Sequence, residues 1–439
     1  MSGPRPPEVT LSPRHRALLE RLARRATSPQ RLVRRVAIIL AASDGGNNEQ
    51  LAQRLGLARE TVQIWRARWL AAGPRLAAAE ADGSDEATLT KLIRAELTDA
   101  PRAGAPPTFS AEQTLIRNRD ALAFISKQFV RYGLTSVHHQ GGDLFALQQV
   151  RTRGDLLHRV SYEAQDDMLE AMVAKGIATG FGDEWIKFGA TAEHTCDGSF
   201  SERTMALSVP YPGVEPPYQG NVTTSQADLN AWVERMHRAG IQVNCHANGD
   251  VTIDMVLTAF ERAQRLYPRP NFRPKITHCT LINEDLLRRI KAIGAVPAPF
   301  TSYGYYNSDK FRFYGEALMQ RSMAYRSFAD AGIPAAAGSD FSPGPFAPMM
   351  GMQGMVTRKG WNGETWGANQ RISVDEALRV LTINGAYASH EEAIKGSISP
   401  GKLADFVVLA DDPHTVDPDK IKDIEIVRTV TGGNSVYQT

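Results

Sequence analysis

Cysteine is scarce in this chain. Only Cys196, Cys245 and Cys279 occur, an odd number with no CxxC spacing, which excludes a disulfide framework and a zinc knuckle and predicts reduced thiols. Long apolar runs are missing as well. Nothing approaches the roughly 18–20 consecutive apolar residues of a membrane span, and the first residues carry Pro and Arg where a signal peptide has its apolar core. These absences predict a cytoplasmic protein without a membrane partner. There is little net charge, +2 overall, and with 42% apolar and 22% charged residues the composition is that of an ordinary folded protein. No sequence repeat is present, and no low-complexity tract beyond one Pro-rich stretch. Nothing in the sequence marks an oligomeric state.

At 439 residues the chain is long enough for one large core and a smaller module. Its charge is unevenly spread. Residues 1–75 hold fourteen arginines against five acids, an excess of +9 that leaves the remainder at −7. A basic head on an acidic body predicts that only the head meets a polyanion such as duplex DNA. From Ser12 to about Ala72 apolar residues recur at helical spacing, through Leu18, Leu22, Leu32, Val36, Leu51, Leu55, Val62, Trp65 and Trp69, which predicts four short helices. The last two flank Gly56, with small or apolar residues where helices would cross. That is the spacing of a helix-turn-helix. Its second helix would present Arg59, Thr61, Gln63 and Arg66 outward, residue types that bond phosphates and base edges.

Asp99-Ala-Pro-Arg-Ala-Gly-Ala-Pro-Pro107 breaks helices and predicts a Pro-rich linker over 99–116. The preceding domain then covers 1–98. The block from Leu11 to Gln113, with Gln30-Arg-Leu-Val-Arg-Arg35 and Ala100-Pro-Arg-Ala-Gly-Ala-Pro-Pro-Thr-Phe-Ser-Ala-Glu-Gln113, resembles the DNA-binding part of transposases of the insertion-sequence 630 type. Such transposases continue into a three-carboxylate nuclease. Nothing of that kind follows here, so transposition is not expected.

From about Arg117 strand-like runs alternate with helical ones. Gly133–Val137, His158–Tyr162, Ile241–His246, Lys275–His278, Gly294–Ala298 and Ile333–Asp340 read as strands, with amphipathic segments between them. Repeated βα units predict a parallel sheet and, by their number, a barrel. Working residues of such barrels sit where strands end. Three apparent strands end in His246, His278 and Asp340, groups that can ligate a divalent ion or take a proton. Cys245 and Cys279 adjoin the two histidines, and alternation should turn them outward into packing.

His246-Ala-Asn-Gly-Asp250, Ile276-Thr-His278, Gly338-Ser-Asp340 and Gly396-Ser-Ile-Ser-Pro-Gly-Lys-Leu-Ala-Asp-Phe-Val-Val-Leu409, in this order, resemble amidohydrolase family 3 of the amidohydrolase superfamily. The resemblance implies an α/β (β/α)8 TIM-type barrel over 117–390, a C-terminal β segment over 391–439, and a divalent metal, zinc by ligand type. It also implies metal-dependent hydrolysis of an amide-like, non-peptide C–N bond in a small molecule. It makes His246, His278, Glu193 and Asp340 metal ligands and Asp340 the catalytic base. Lys187 is the alternative to Glu193 as the bridging residue of the fourth strand, and Arg203 and Asp197 are candidate substrate contacts.

The family opens its barrel with a strand ending in His-x-His, yet no two of the ten histidines here lie two apart. The adjacent His138 and His139 cannot substitute, because alternation turns one away. The expectation is an incomplete barrel that binds at most one ion well, hydrolyses slowly or not at all, and leaves a C-terminal tail without partner strands. Two other readings stay open: a DNA-binding protein of transposase origin, and an inactive fusion product.

Overall fold

The computed structural model describes residues 7–24, 30–98 and 109–439. It comprises two compact units, one ending at Phe109 and the other beginning at Ser110. Most of the expected linker (99–108), together with Arg5 and Arg25 of the basic head, lies outside the described residues. The described part of that linker is partly helical, because a helix begins at Ala111 with Ser110 and Gln113 forming a reciprocal cap.

The first unit is all helical: α1 (Pro13–Arg24), α2 (Gln30–Ser43), α3 (Asn48–Leu55), α4 (Arg59–Ala81) and α5 (Glu86–Glu96). Asn47 and Gln50 cap α3 reciprocally. The helix ends on Gly56 at φ +63°, a left-handed turn that costs a glycine little. Three residues later α4 begins, so the expected helix-turn-helix is present. α4 is longer than its sequence suggests, running through Gly73 and Pro74. Val62, Trp65, Trp69, Ala72 and Leu76 continue one buried stripe along it, and burial of that stripe outweighs two poor helix formers.

One of the expected DNA-facing residues is corrected here. Arg59 and Gln63 are exposed and Thr61 is half-buried, but Arg66 is only 4% exposed. Its guanidinium donates to the carbonyls of Pro7 and Gly46, each at 3.0 Å, and to Asn48 Oδ1 at 3.3 Å. Arg66 ties the chain ahead of α1 and the loop before α3 to α4, and so it faces the unit's interior.

In the second unit, α6 (Ala111–Arg131) leads into strands β1 (Ser136–Gln140), β2 (Arg159–Ala164), β3 (Ile186–Thr191), β4 (His194–Thr195), β5 (Asn244–Ala247), β6 (Lys275–His278) and β7 (Val296–Ala298). They form two parallel sheets, β1-β2-β3 and β4-β5-β6-β7. Helices α7 (Leu144–Thr152), α8 (Asp166–Ala174), α9 (Gln226–Arg238), α10 (Asp250–Leu266) and α11 (Glu284–Ile293) cross between strands. β3 and β4 are separated only by Ala192 and Glu193 and act as one bent strand. Thr191 N–H donates to Gln242 O and Cys196 N–H to His246 O, each at 3.0 Å. Gly338 continues the series through a parallel bridge to Phe300. Among the described residues no strand joins that segment to β1, so the barrel is open, as expected of an incomplete one. No described helix is long and apolar enough to cross a membrane.

The C-terminal tail corrects one expectation. β8 (Phe406–Leu409), β9 (Ile426–Thr431) and β10 (Asn434–Gln438) form their own antiparallel sheet, in the order β10-β9-β8. Thr429 Oγ1 bonds Val130 O of α6 at 2.6 Å, so the tail supplies its own partners.

The interior of the barrel is charged below its C-terminal end. Lys275 and Glu163, 4% and 1% exposed, form an ion pair. His138 Nδ1 lies 3.3 Å from Glu163, and Asn244 Nδ2 donates to the other carboxylate oxygen at 3.1 Å. Burial disfavours the Glu163 carboxylate, but Lys275 and His138 outweigh it and hold its pKa at about 2. Lys187 also lies in this region. It pairs with Glu391 at 3.3 Å and donates to Ser389 O at 2.9 Å.

Two outcomes follow. Arg66→Met should raise hydrogen–deuterium exchange across α3 and α4 by an amount equivalent to about 1–3 kcal/mol, because the guanidinium's hydrogen bonds to the Pro7 and Gly46 carbonyls are lost; Arg59→Ala should leave it unchanged. The second concerns His158, which is buried and held near pKa 3, chiefly by desolvation. Ser126 Oγ accepts the Leu157 N–H at 2.8 Å, and its hydroxyl then donates to His158 Nδ1 at 2.9 Å. An unfolded histidine protonates near about pH 6.5. The unfolded state therefore binds more protons below that value, and stability should fall as pH drops from about 6.5 toward 3. His158→Gln should flatten that slope in urea titrations run at several pH values.

Candidate metal centre

Alternation along β5 sends Asn244 and His246 into the barrel and Cys245 into the packed core, where it is fully buried. On β6, Lys275 and Thr277 face inward, since Lys275 pairs with Glu163 and Thr277 Oγ1 donates to Asn244 Oδ1 at 2.8 Å. His278 follows an inward residue and would point away from the site. It is turned back by a φ of +70°, a conformation that costs a non-glycine residue about 1–2 kcal/mol. Such strain concentrates at working sites. Glu193 arrives from the bend between β3 and β4.

These three side chains converge. Glu193 Oε2 lies 3.5 Å from His246 Nδ1 and 3.9 Å from His278 Nε2. One candidate ligand atom from each falls within 4.8 Å of the others. Ligands around a tetrahedral zinc lie about 3.3 Å apart, so the spacing is close to that of a coordinating set. Glu193 Oε2 and His278 Nδ1 are buried without a hydrogen-bond partner, and buried polar atoms without partners are uncommon unless a ligand completes them. Burial, together with the nearby His246, pushes the His278 pKa well below the usual histidine value, so one ring nitrogen keeps its lone pair available. Burial also works against charge on His246, but Glu193, Asp197 and the Gly198 carbonyl outweigh it and raise its pKa. On these observations the residues fit a divalent ion.

Asp340 sits beside this cluster, in the left-handed region at φ +56°. Tyr303 Oη donates to its Oδ2 at 2.7 Å. Burial raises the Asp340 pKa, and although Tyr303 opposes that, Glu193 adds to the rise.

Lys187 is not in this cluster; its ammonium is held by Glu391 and Ser389. Asp197 is 1% exposed and accepts four hydrogen bonds, from the N–H groups of Ala206, Asn248 and Gly249 and from Thr252 Oγ1, at 2.8–3.0 Å. Arg203 donates to Pro212 O at 3.1 Å and lies over the rings of Tyr211 and Phe313. Asp197 and Arg203 thus brace the loop between β4 and β5. Sequence reasoning missed Tyr303 and Asn248. Asn248 Nδ2 donates to Gly198 O at 2.9 Å and lies 3.1 Å from His246 Nε2. The signal for Asn248 was present in His246-Ala-Asn-Gly-Asp250. Its glycine is required, because a Cβ on Gly249 would stand 1.7 Å from Ala206 O.

The sequence profile of the amidohydrolase family matches residues 57–437. The chain belongs to the amidohydrolase family. A homeodomain-like profile matches residues 29–77, over α2, α3 and most of α4. Among relatives within the amidohydrolases, the amidohydrolase YtcJ of Bacillus subtilis is 28% identical over 262 residues, 58% of this chain and 48% of that protein. The N-substituted formamide deformylase of Arthrobacter pascens is 27% identical over 218 residues, 49% of this chain and 40% of that one. The chain thus spans about half the length of these relatives. A metal-dependent hydrolase from Pyrococcus horikoshii shares the fold, with a TM-score of 0.61 at 20% identity over 75% of this chain and 65% of that one.

Glu193→Gln, His246→Asn and His278→Asn should each weaken Zn2+ binding about 10-fold or more in equilibrium dialysis, since each removes one of three ligands. Lys187→Met should not. Unchanged affinity in all three variants would dissolve the centre.

Proposed function

We propose that the second unit is a metal-dependent hydrolase of amide-like, non-peptide C–N bonds in small molecules, working in the cytoplasm. The convergence of Glu193, His246 and His278 beside Asp340 supports this reading. Two imidazoles and a carboxylate favour zinc among the common divalent ions. An ion held there would acidify water and polarise the substrate carbonyl. Asp340 takes the proton from the attacking water and returns it to the leaving nitrogen. Tyr303 holds one carboxylate oxygen, which fixes the rotamer and leaves the other oxygen to carry the proton. The raised Asp340 pKa makes its carboxylate a stronger base toward that water. Among the described residues one cluster offers three ligands, so we assign one ion and slow turnover, and we take the relative named for N-substituted formamides as a guide to the substrate class.

The test is hydrolysis of a panel of N-formyl and N-acyl amines by zinc-loaded protein, with free amine as the readout. Turnover should vanish with chelator, return with zinc, and fall about 10²-fold or more in Asp340→Asn, the usual contribution of a general base. Zinc-loaded protein that releases no amine above buffer from any of them overturns the proposal.

A second reading applies to the first unit, where α3, Gly56 and α4 form a helix-turn-helix with Arg59 and Gln63 exposed. We propose duplex DNA as its partner. Affinity should fall steeply with salt as phosphate contacts are lost, and salt-independent binding would count against it.

A further inference from the structure

The exposed face of α4 carries more than charge. Glu60, Gln63, Ile64, Ala67 and Ala71 are all exposed, and their spacing of three and four residues places them on one side of the helix. The opposite side, with Val62, Trp65 and Trp69, is buried in the unit's core. Ile64 stands out, since it is 59% exposed in the middle of the first turns. It lies beside Gln63, whose side-chain amide can both donate and accept. Arg59, with a side chain 63% exposed and 3.8 Å from Glu49 of α3, begins the helix. Arg54, exposed in the last turn of α3, lies just across the Gly56 turn. Arg66, the other arginine expected on this face, is turned inward.

We propose that α4 reads an A·T-containing step in the major groove, with Gln63 on an adenine edge and Ile64 against a thymine methyl, while Arg54 and Arg59 hold phosphates on either side. This inference rests on the DNA-binding reading given above. Adenine presents N7 as an acceptor beside the N6 amino donor, which a Gln amide matches with two bonds. Thymine alone among the four bases offers a methyl group there, and an isoleucine side chain suits it. Small Ala67 and Ala71 further along the same face leave room for the helix to approach the bases. Arg54 and Arg59 flank the turn ahead of α4 while Gln63 and Ile64 follow on the helix, the usual division between positioning and readout.

The experiment uses the full chain. A duplex is selected from a random-sequence library, and its affinity is measured by fluorescence anisotropy as single thymines are replaced by deoxyuridine and single adenines by 7-deazaadenine. At one position, loss of the thymine methyl should weaken wild-type binding about 4-fold, the size expected for one methyl removed from an apolar contact. Ile64→Ala should bind the two duplexes equally. At a neighbouring position 7-deazaadenine should weaken the wild type but not Gln63→Ala. Both residues are exposed, so neither variant disturbs the core. If the selected duplexes show no sensitivity to either replacement, or if Ile64→Ala and Gln63→Ala keep the wild-type sensitivities, base reading by these residues is overturned while DNA binding stands. If the full chain binds no duplex even at low salt, the DNA-binding reading itself fails, and this inference with it.

Discussion

The metal centre depends on one buried carboxylate that does not belong to it. Asp197 draws together the backbone at Ala206, Asn248 and Gly249 and the hydroxyl of Thr252. In doing so it fixes the loop after β4 against the start of α10. His246 sits at the end of β5 inside this bracket, its Nε2 facing the Gly198 carbonyl at 3.2 Å and its Nδ1 facing Glu193. An anion this deeply buried is tolerated because four donors replace its water. Three of the four bonds fall on Oδ2 and one on Oδ1. Under the function proposed above, positioning falls to Asp197 and chemistry to Glu193 and Asp340.

Much of this arrangement was legible in the sequence. His246 and His278 could be read because each ends a strand-like run, and the helix-turn-helix because a single Gly interrupts two apolar stripes. Other features depend on contacts between distant residues and leave no periodic trace. Arg66 reads as outward by residue type alone, yet it lies four residues after Val62 and three before Trp69 on the buried side of α4, where the carbonyls of Pro7 and Gly46 come within reach. Lys187 has the residue type of a bridging ligand but is held by Glu391, about two hundred positions away in sequence. Tyr303 begins a one-turn helix, Tyr303–Tyr306, after β7, where nothing in the local pattern marks it as a partner of Asp340. His278 was placed in the site as the end of a strand, and the structure brings it there through a departure from alternation, at a φ of +70°.

The two units are stabilised in different ways. In the helical unit one apolar stripe on α4 gathers the other helices, and among the described residues Arg66 and His15 are the polar side chains buried there. In the barrel unit the apolar residues lie mainly between strands and helices, while the inside of the barrel holds lysines, glutamates, a histidine and an asparagine. The open side of the barrel leaves β1 at an edge, with the His138 side chain 30% exposed although it touches the buried Glu163.

That interior charge also restricts how this sequence can drift. Losing either Glu163 or Lys275 alone strands a buried charge, at a cost of about 3–5 kcal/mol, whereas replacing both by well-packed apolar residues can be neutral. The stability of a typical domain is about 5–15 kcal/mol, so a lineage changing these positions one at a time passes through an ancestor that has lost a large share of its stability. The ligands above carry no such mutual penalty and can be lost singly. Over generations the foundations of the barrel should therefore outlast the residues at its C-terminal end, and a descendant without Glu193, His246 or His278 would still carry this lysine and glutamate.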